Sequence, residues 1–471
     1  MPKIEKNILI VGAGSAGHLL SQDIRKNHPN CRITGFIDDQ PGPKVGDILG
    51  KIADFPEIVS RYLIDEIVLA IPSADGKLIR RILMNNLDNR IPMRIVPRSS
   101  RIIGRSIVRY DEVKDIEPED FLGRPLIRQD IDRLKRFYAK KVVFVTGGAG
   151  SIGSEIVRQL IDLEAKKVII YDNSEYLMFM LEQELKETGN RDRCQLIIGS
   201  VTNGDKLNRL LGQVKPDLVF HAAAYKHVHL MQDNIDESVH SNVIGTKRVI
   251  DAAIKNKIKV VTFISTDKVV NPTSVMGATK KLCEYYISSL PKGKTEFNIV
   301  RFGNVINSMG SVLPLFKRQI DLHRYVTVTH KKMERFFMSI REAAKLVVES
   351  TASGSYNQIH LLNMGELINI YEVALSMIRA KNLLPGDDVE VRIMGLRKGE
   401  KLIEELYTRE EKKNLRKTKG SRILSLNNSE VCPFDIGQTI SDFEKILGGD
   451  TAPIELRDYM KRLFPSLKLD R

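Results

Sequence analysis

A chain of 471 residues, 42% hydrophobic and 28% charged, exceeds one ordinary hydrophobic core and is too apolar for a disordered chain, so two globular domains are expected. Lys and Arg outnumber Asp and Glu by 73 to 59, and the net +14 favours acidic partners such as nucleotide phosphates or an anionic lipid surface. Trp is absent and basic residues are interspersed with acids, which argues against nucleic acid, while Cys31, Cys194, Cys283 and Cys432 lie too far apart for a metal site or a disulfide framework. No apolar run reaches the ~18 residues of a membrane span, so no integral membrane segment and a cytoplasmic location are expected, with peripheral membrane attachment left open by the basic charge.

Residues 7–12 form an apolar run ending in glycine, and 32–38, 66–71 and 92–96 are further buried-strand candidates. Residues 1–100 therefore read as an N-terminal Rossmann-like domain. Residues 101–140 are charged and irregular, with a helical run at 130–140, and read as a connector. A second start follows: a strand at 141–146, a glycine turn at 147–153 and an amphipathic helix at 154–163, then strands at 167–171, 195–198, 218–220, 259–264 and 297–301. The alternation predicts an α/β fold with two Rossmann-like doubly wound parallel-sheet units, the second being a catalytic domain over 141–471. Beyond residue 303 the pattern breaks into shorter pieces, which suits a small C-terminal substrate lobe.

Each unit carries a glycine loop after its first strand. Gly12-Ala13-Gly14-Ser15-Ala16-Gly17 is followed at Asp38 by an acid, and Gly147-Gly148-Ala149-Gly150-Ser151-Ile152-Gly153 by Asp172. Glycines let the backbone turn sharply and approach a pyrophosphate, and the following helix offers its N-terminal N–H groups to the charge. Both acids have the spacing of a carboxylate that binds a ribose hydroxyl; such a group favours NAD, and NADP is admitted only if Arg or Lys from elsewhere meets its phosphate. The ligand of the first loop stays open, because no acid–base constellation follows Gly17 within its domain. The second loop is different. Ser265-Thr266-Asp267-Lys268 ends a strand and Met276-Gly277-Ala278-Thr279-Lys280 starts the next helix, at the carboxyl ends of parallel strands where open α/β sheets place ligands.

These motifs, together with Thr146–Gly153, the run His221-Ala222-Ala223-Ala224-Tyr225-Lys226-His227-Val228, Arg301-Phe302-Gly303-Asn304, Arg335-Phe336-Phe337-Met338 and Gly395-Leu396-Arg397-Lys398-Gly399-Glu400-Lys401, resemble one family. It is the UDP-N-acetylglucosamine 4,6-dehydratase group of polysaccharide biosynthesis, within the extended short-chain dehydrogenases, and the resemblance spans roughly residues 10–407 in the same order. It implies C4 oxidation of a UDP-sugar by hydride transfer, water elimination across C5 and C6, and hydride return to C6. Asp267 would protonate the leaving hydroxyl and neutral Lys268 would take the C5 proton, and burial would move both groups in the direction those roles require.

Lys280 would hold the nicotinamide ribose. Met276 stands where related enzymes have tyrosine; a thioether carries no ionisable proton, so the base for the C4 hydroxyl is left open among Asp267, Lys268 and a water held by Thr266. The resemblance further implies that Gly147, Gly150, Ser151, Ile152, Gly153, Asp172, Asn173, Ser174, Ser200, Val201, Ala222, Ala223, Ala224 and Asn242 line the dinucleotide. It assigns Lys226, Asn304, Arg335, Arg397 and Glu400 to the nucleotide-sugar, and a homo-oligomer is expected. His221 and His227 have no ligand-spaced partner and read as structural, so no metal is expected. Epimerisation, dehydration with C5 inversion, and a silent nucleotide-sugar sensor are the competing readings; the adjacent acid and amine favour dehydration, since a C4 epimerase needs no donor for a leaving hydroxyl.

Overall fold

The computed structural model describes residues 6–40, 46–86, 90–97, 108–123, 129–417, 422–426, 431–449 and 451–469. Two compact units result: Met1–Leu126 with Gly310–Met333 and Ile368–Gly395, and Ile127–Met309 with Glu334–Leu367 and Leu396–Arg471. Residues 101–107 and 124–128 of the expected connector lie outside the described residues.

The first unit holds a six-stranded sheet of β1 (Lys6–Val11), β2 (Cys31–Ile37), β3 (Ile48–Gly50), β4 (Glu66–Leu69), β5 (Met93–Ile95) and β6 (Lys114–Asp115), in the order β3-β2-β1-β4-β5-β6. All pairs are parallel except β5 with β6. Ile8, Leu9, Ile10 and Val11 are fully buried, as a central strand covered on both faces requires. Segments 310–333 and 368–395, expected in the substrate lobe, group with this unit instead. Hydrogen bonds explain the grouping: the Asn382 side chain accepts from the backbone of Met93 at 3.2 Å, and Arg379 donates to the carbonyl of Asn86.

The second unit is built on nine strands. Its centre is β7 (Val142–Thr146), β8 (Lys167–Asp172), β9 (Cys194–Ile198), β10 (Leu218–His221), β11 (Val260–Thr266) and β12 (Glu296–Phe302), ordered β9-β8-β7-β10-β11-β12 and parallel throughout. Gln358–Leu362 extends the parallel run beyond β12, and Ile423–Leu426 and Leu415–Lys417 close that edge antiparallel. Side chains alternate between two cores: Phe144, Ile169 and Tyr171 enter one, and Val143, Val145, Val168 and Ile170 enter the other. Burial on both faces is why these strands read as continuous apolar runs. The chain is therefore an α/β protein with two Rossmann-like doubly wound sheets, and in each the order reverses between the first and fourth strands.

Candidate active site

The strand-order reversal of the second unit lies between β7 and β10, and the glycine loop turns there. Gly147 has φ +63°, and a Cβ on it would sit 2.6 Å from the Ala223 nitrogen, so only glycine fits between the loop and the end of β10. A Cβ on Gly153 would collide with the Gly147 carbonyl, which lets the helix Ser151–Asp162 start directly against the turn. Gly150 is its N-cap, with only the Gly147 carbonyl near a would-be Cβ, at 3.3 Å, so backbone approach to a ligand stays open.

Asp172 ends β8 and fixes this loop, accepting from the Ala149 backbone at 3.0 Å and the Ser174 backbone at 2.9 Å. A carboxylate has about four acceptor positions, so capacity for a ribose hydroxyl remains. Ser174 caps the helix Glu175–Glu187, Asn173 is exposed, and the Ser200–Val201 turn is held by the Tyr171 hydroxyl donating to the Ser200 carbonyl at 2.8 Å. Ala222, Ala223 and Ala224 follow β10, on the other side of the loop from β8. Asn242, expected to line the dinucleotide, lies in a π-helical turn with its amide engaged by the protein: Oδ1 accepts from the Tyr225 backbone at 2.8 Å, and Nδ2 donates to the Tyr225 carbonyl at 3.1 Å and to Thr279 Oγ1 at 3.2 Å. It clamps the segment carrying Ala224 and Lys226.

Thr146, the last residue of β7, pairs in register with His221 of β10. His221 Nδ1 lies 2.7 Å from Thr146 Oγ1 and Nε2 2.9 Å from Thr246 Oγ1, with burial driving its pKa down to about 3. A ring bonded at both nitrogens and kept neutral is structural, in agreement with the sequence reading.

Asp267 and Lys268 follow β11. Asp267 is 1% exposed; its Oδ1 accepts from Thr266 Oγ1 and from Lys268 Nζ, both at 2.9 Å. Its Oδ2 is buried with no hydrogen-bond partner among the described residues, in space kept free because a Cβ on Gly303 would stand 2.9 Å from it. Lys268 Nζ also donates to Asn304 Oδ1 at 3.0 Å. The structure thus brings Thr266, Asp267, Lys268 and Asn304 together.

One expectation is corrected. Burial was to lower the Lys268 pKa and leave a neutral amine; desolvation does act that way, but the Asp267 and Glu404 carboxylates outweigh it, and the ammonium is held above its usual range. At rest the pair is an ion pair.

Glu404 is the residue the sequence reading missed. It is 5% exposed, its Oε2 lacks a hydrogen-bond partner among the described residues, and burial is the largest cause that raises its pKa, with the Asp267 charge adding to it and Lys268, Arg335 and Lys401 opposing. It lies just beyond the motif ending at Lys401, flanked by Leu402, Ile403 and Leu406, and an acid among apolar residues was the available signal.

Arg335, expected to meet the nucleotide-sugar, is 7% exposed and donates to the carbonyls of Glu334, Lys401 and Leu402, with Glu404 at 3.9 Å. These bonds fasten the Glu404 segment. Lys226 donates to Ser308 Oγ at 3.2 Å, and its pKa is lowered by desolvation first and the Lys268 charge second. Arg397 is exposed, and Glu400 accepts from its backbone at 3.2 Å, so these two form a turn rather than joining the Lys268 cluster. That turn is anchored where Thr273 Oγ1 donates to the Gly399 carbonyl at 3.0 Å and Lys401 Nζ to the Val270 carbonyl at 2.6 Å.

The helix Val275–Ser289, capped by Ser274, packs its first turn on Lys268 so closely that a Cβ on Gly277 would strike the Lys268 carbonyl. Met276 is buried in that turn. Lys280 lies one turn further, with Nζ 3.9 Å from the Phe263 ring centre and its pKa lowered to about 8 by desolvation.

Residues 143–426 match the model of a family described as polysaccharide biosynthesis proteins, across the whole of this site. The chain belongs to that family. Residues 3–97, the sheet of the first unit up to β5, match a second model, a CoA-binding domain. Among relatives of this family member, the capsular polysaccharide biosynthesis protein CapD of Staphylococcus aureus is 37% identical over 423 residues, covering 86% of this chain and 69% of CapD. A UDP-glucose 4-epimerase of Rickettsia rickettsii is 33% identical over 284 residues, 58% of this chain and 80% of the epimerase. The X-ray structure of Pen from Bacillus thuringiensis superposes with a TM-score of 0.58 at 32% identity, covering 63% of this chain and 91% of Pen. The motif resemblance is thereby supported at the level of the polysaccharide biosynthesis family. Among the described residues no helix is long and apolar enough to cross a membrane, and no group of three or more His, Cys, Asp or Glu is placed to hold a metal ion.

Proposed function

We propose that the second unit is an NAD-dependent nucleotide-sugar 4,6-dehydratase that converts UDP-N-acetylglucosamine to a UDP-4-keto-6-deoxy-N-acetylhexosamine. The observation that carries it is the buried Asp267–Lys268 pair with an unpartnered carboxylate oxygen, at the carboxyl end of a strand in the unit that also holds the second glycine turn. The Gly147–Gly153 turn, which a Cβ would fill, and the free acceptor capacity of Asp172 suit a dinucleotide with unmodified ribose hydroxyls. Bound there, NAD supplies hydride acceptance from C4 and hydride return to C6.

The protein's own residues manage the protons. The C5 hydrogen, acidified by the C4 ketone, leaves to the Lys268 amine while the Asp267 carboxyl gives its proton to the departing C6 hydroxyl, which leaves as water. That step ends with a carboxylate and an ammonium, the ion pair seen at rest with Nζ 2.9 Å from Oδ1; the ammonium gives its proton back to C5 when C6 is reduced, and the proton that O4 loses on oxidation restores the Asp267 carboxyl. Met276 packs at the site and carries no proton. Asn304 orients Lys268, and Lys226, Arg397 and Glu400 supply polar contacts to the nucleotide-sugar, with Arg335 contributing through the segment it fastens.

Incubation with UDP-N-acetylglucosamine should yield a product lighter by one water without net consumption of NAD, read by mass spectrometry; an unchanged mass would refute dehydration. The likeness to a UDP-glucose 4-epimerase favours epimerisation as a second reading, and the same sample distinguishes it by an inverted C4 at unchanged mass in its proton NMR spectrum.

A further inference from the structure

The oxidation of C4 releases a proton from O4, and the elimination consumes one at O6. Between the two steps the site has to hold that proton, and Met276 offers no group to do it. Two buried carboxylates whose charges act on Lys268, those of Asp267 and Glu404, each keep one oxygen without a hydrogen-bond partner among the described residues. The carboxylates come from different parts of the chain, Asp267 from the end of β11 and Glu404 from the segment that Arg335 fastens.

We propose that Asp267 and Glu404 form a carboxylate pair around Lys268 that shares one proton, taking it from O4 on oxidation and delivering it to the C6 hydroxyl on elimination. The inference rests on the dehydratase reading and supplies the base that a methionine at position 276 leaves missing. The balance closes. Hydride leaves C4 for the nicotinamide and the O4 proton passes to the pair, converting two carboxylates into one carboxylate and one carboxylic acid. The O6 leaving group takes that proton as the C5–H bond breaks, and the C5 proton goes to the Lys268 amine, whose own proton has first passed to the remaining carboxylate. Hydride returns to C6 and that proton to C5, regenerating the starting state. Asp267 is the member expected to touch the substrate; Glu404 acts through it as a positioning residue.

Two like charges in one buried site resist joint ionisation, so the second proton leaves the pair at a higher pH than it would leave an isolated, lysine-paired aspartate. The charged groups around Glu404 are Asp267 and Lys268 from the end of β11, Arg335 from the strand Glu334–Ser339 and Lys401 from its own segment; the cations moderate the effect, yet the Glu404 carboxyl stays above its usual range.

The test is the pH dependence of kcat for water loss from UDP-N-acetylglucosamine by the full chain with NAD. In the unmodified enzyme the acid limb is expected above the ordinary carboxylate range, and a limb inside or below that range overturns the pair, even if no variant can be made. Glu404→Gln should lower kcat about 10²-fold with KM within about threefold and should move the limb to lower pH. Glu404→Asp should restore the limb and part of kcat. An unchanged limb in Glu404→Gln, or a raised KM with kcat intact, overturns the pair while leaving the dehydratase reading standing. No water loss by the unmodified enzyme removes both.

Discussion

The two glycine turns of this chain are nearly the same object locally, and the most deeply buried acids of the two units lie at opposite ends of their strands. Ala13 donates to Asp38 at 2.6 Å as Ala149 donates to Asp172 at 3.0 Å, and a Cβ on Gly17 would strike the Gly12 carbonyl as one on Gly153 would strike Gly147. In the first unit, however, the most deeply buried acid among the described residues is Glu66, the first residue of β4, satisfied by Lys6 at 2.7 Å, by Arg94 at 3.4 Å and by the Tyr110 hydroxyl. In the second unit the most deeply buried acid, Asp267, follows the last residue of β11, and one of its oxygens has no hydrogen-bond partner among the described residues. A buried polar atom without a partner costs about 1–3 kcal/mol, so a satisfied cluster at the amino ends is read as structural and an unsatisfied one at the carboxyl ends as chemical.

Substitution at the two acids separates these readings most widely. Asp267→Asn should lower kcat for water loss by about 10²–10⁴-fold while substrate still binds, measured by steady-state kinetics and by titration of the nucleotide-sugar. Glu66→Gln should do the converse: turnover unchanged, and stability of the first unit reduced by about 2 kcal/mol in urea denaturation, since Lys6 and Arg94 keep some contact with water. Loss of turnover in Glu66→Gln would break the comparison.

A smaller effect concerns the turns themselves. Asp172→Ala removes an acceptor from both the loop backbone and a bound ribose, and should weaken NAD binding about tenfold, whereas Asp38→Ala should leave it unchanged. Fluorescence titration with NADH measures both. Equal binding of NADP by the unmodified protein would remove the preference assigned to Asp172.

How much of this was legible in the sequence depended on how local the cause was. Central strands such as Val142–Thr146 and Val260–Thr266 were readable because burial on both faces writes an apolar run into consecutive residues. Leu415–Lys417 was not, being three residues long with two of them exposed, and its place in the sheet is set by pairing with Ile423–Leu426. The glycine turns and the residues Asp267 and Lys268 were readable because their spacing follows from one strand and one turn. The charge state of Lys268 was not. It is set by the Asp267 carboxylate first and by Glu404 second, and Glu404 is brought near only by the fold, an approach of which the sequence carries no local mark. The partners of the Arg335 donors and of the Asn242 amide were not legible for the same reason: the carbonyls of Lys401 and Leu402, and the backbone of Tyr225, meet them only in three dimensions.

A last expected effect tests whether a buried ionisable group at the β7–β10 junction is structural in the sense applied to Glu66. His221 is held neutral between Thr146 and Thr246, with its pKa depressed from 6.5 to about 3 by burial. In the unfolded chain the imidazole takes a proton as pH falls below about 6.5, while in the folded chain it takes none until about pH 3. Stability contributed by this residue is therefore fully present above the unfolded pKa and is lost as pH falls through the interval. Each unit is worth about 1.4 kcal/mol, so lowering the pH from 6.5 to 4.5 should cost roughly 2–3 kcal/mol through His221 alone. His221→Gln keeps a neutral side chain able to bond either threonine and removes the titration. Urea denaturation at the two pH values should show a shallower loss in the variant, even though the variant is less stable at neutral pH. An identical slope in both proteins would mean that His221 is protonated in the folded state, and the structural reading of this histidine would fail.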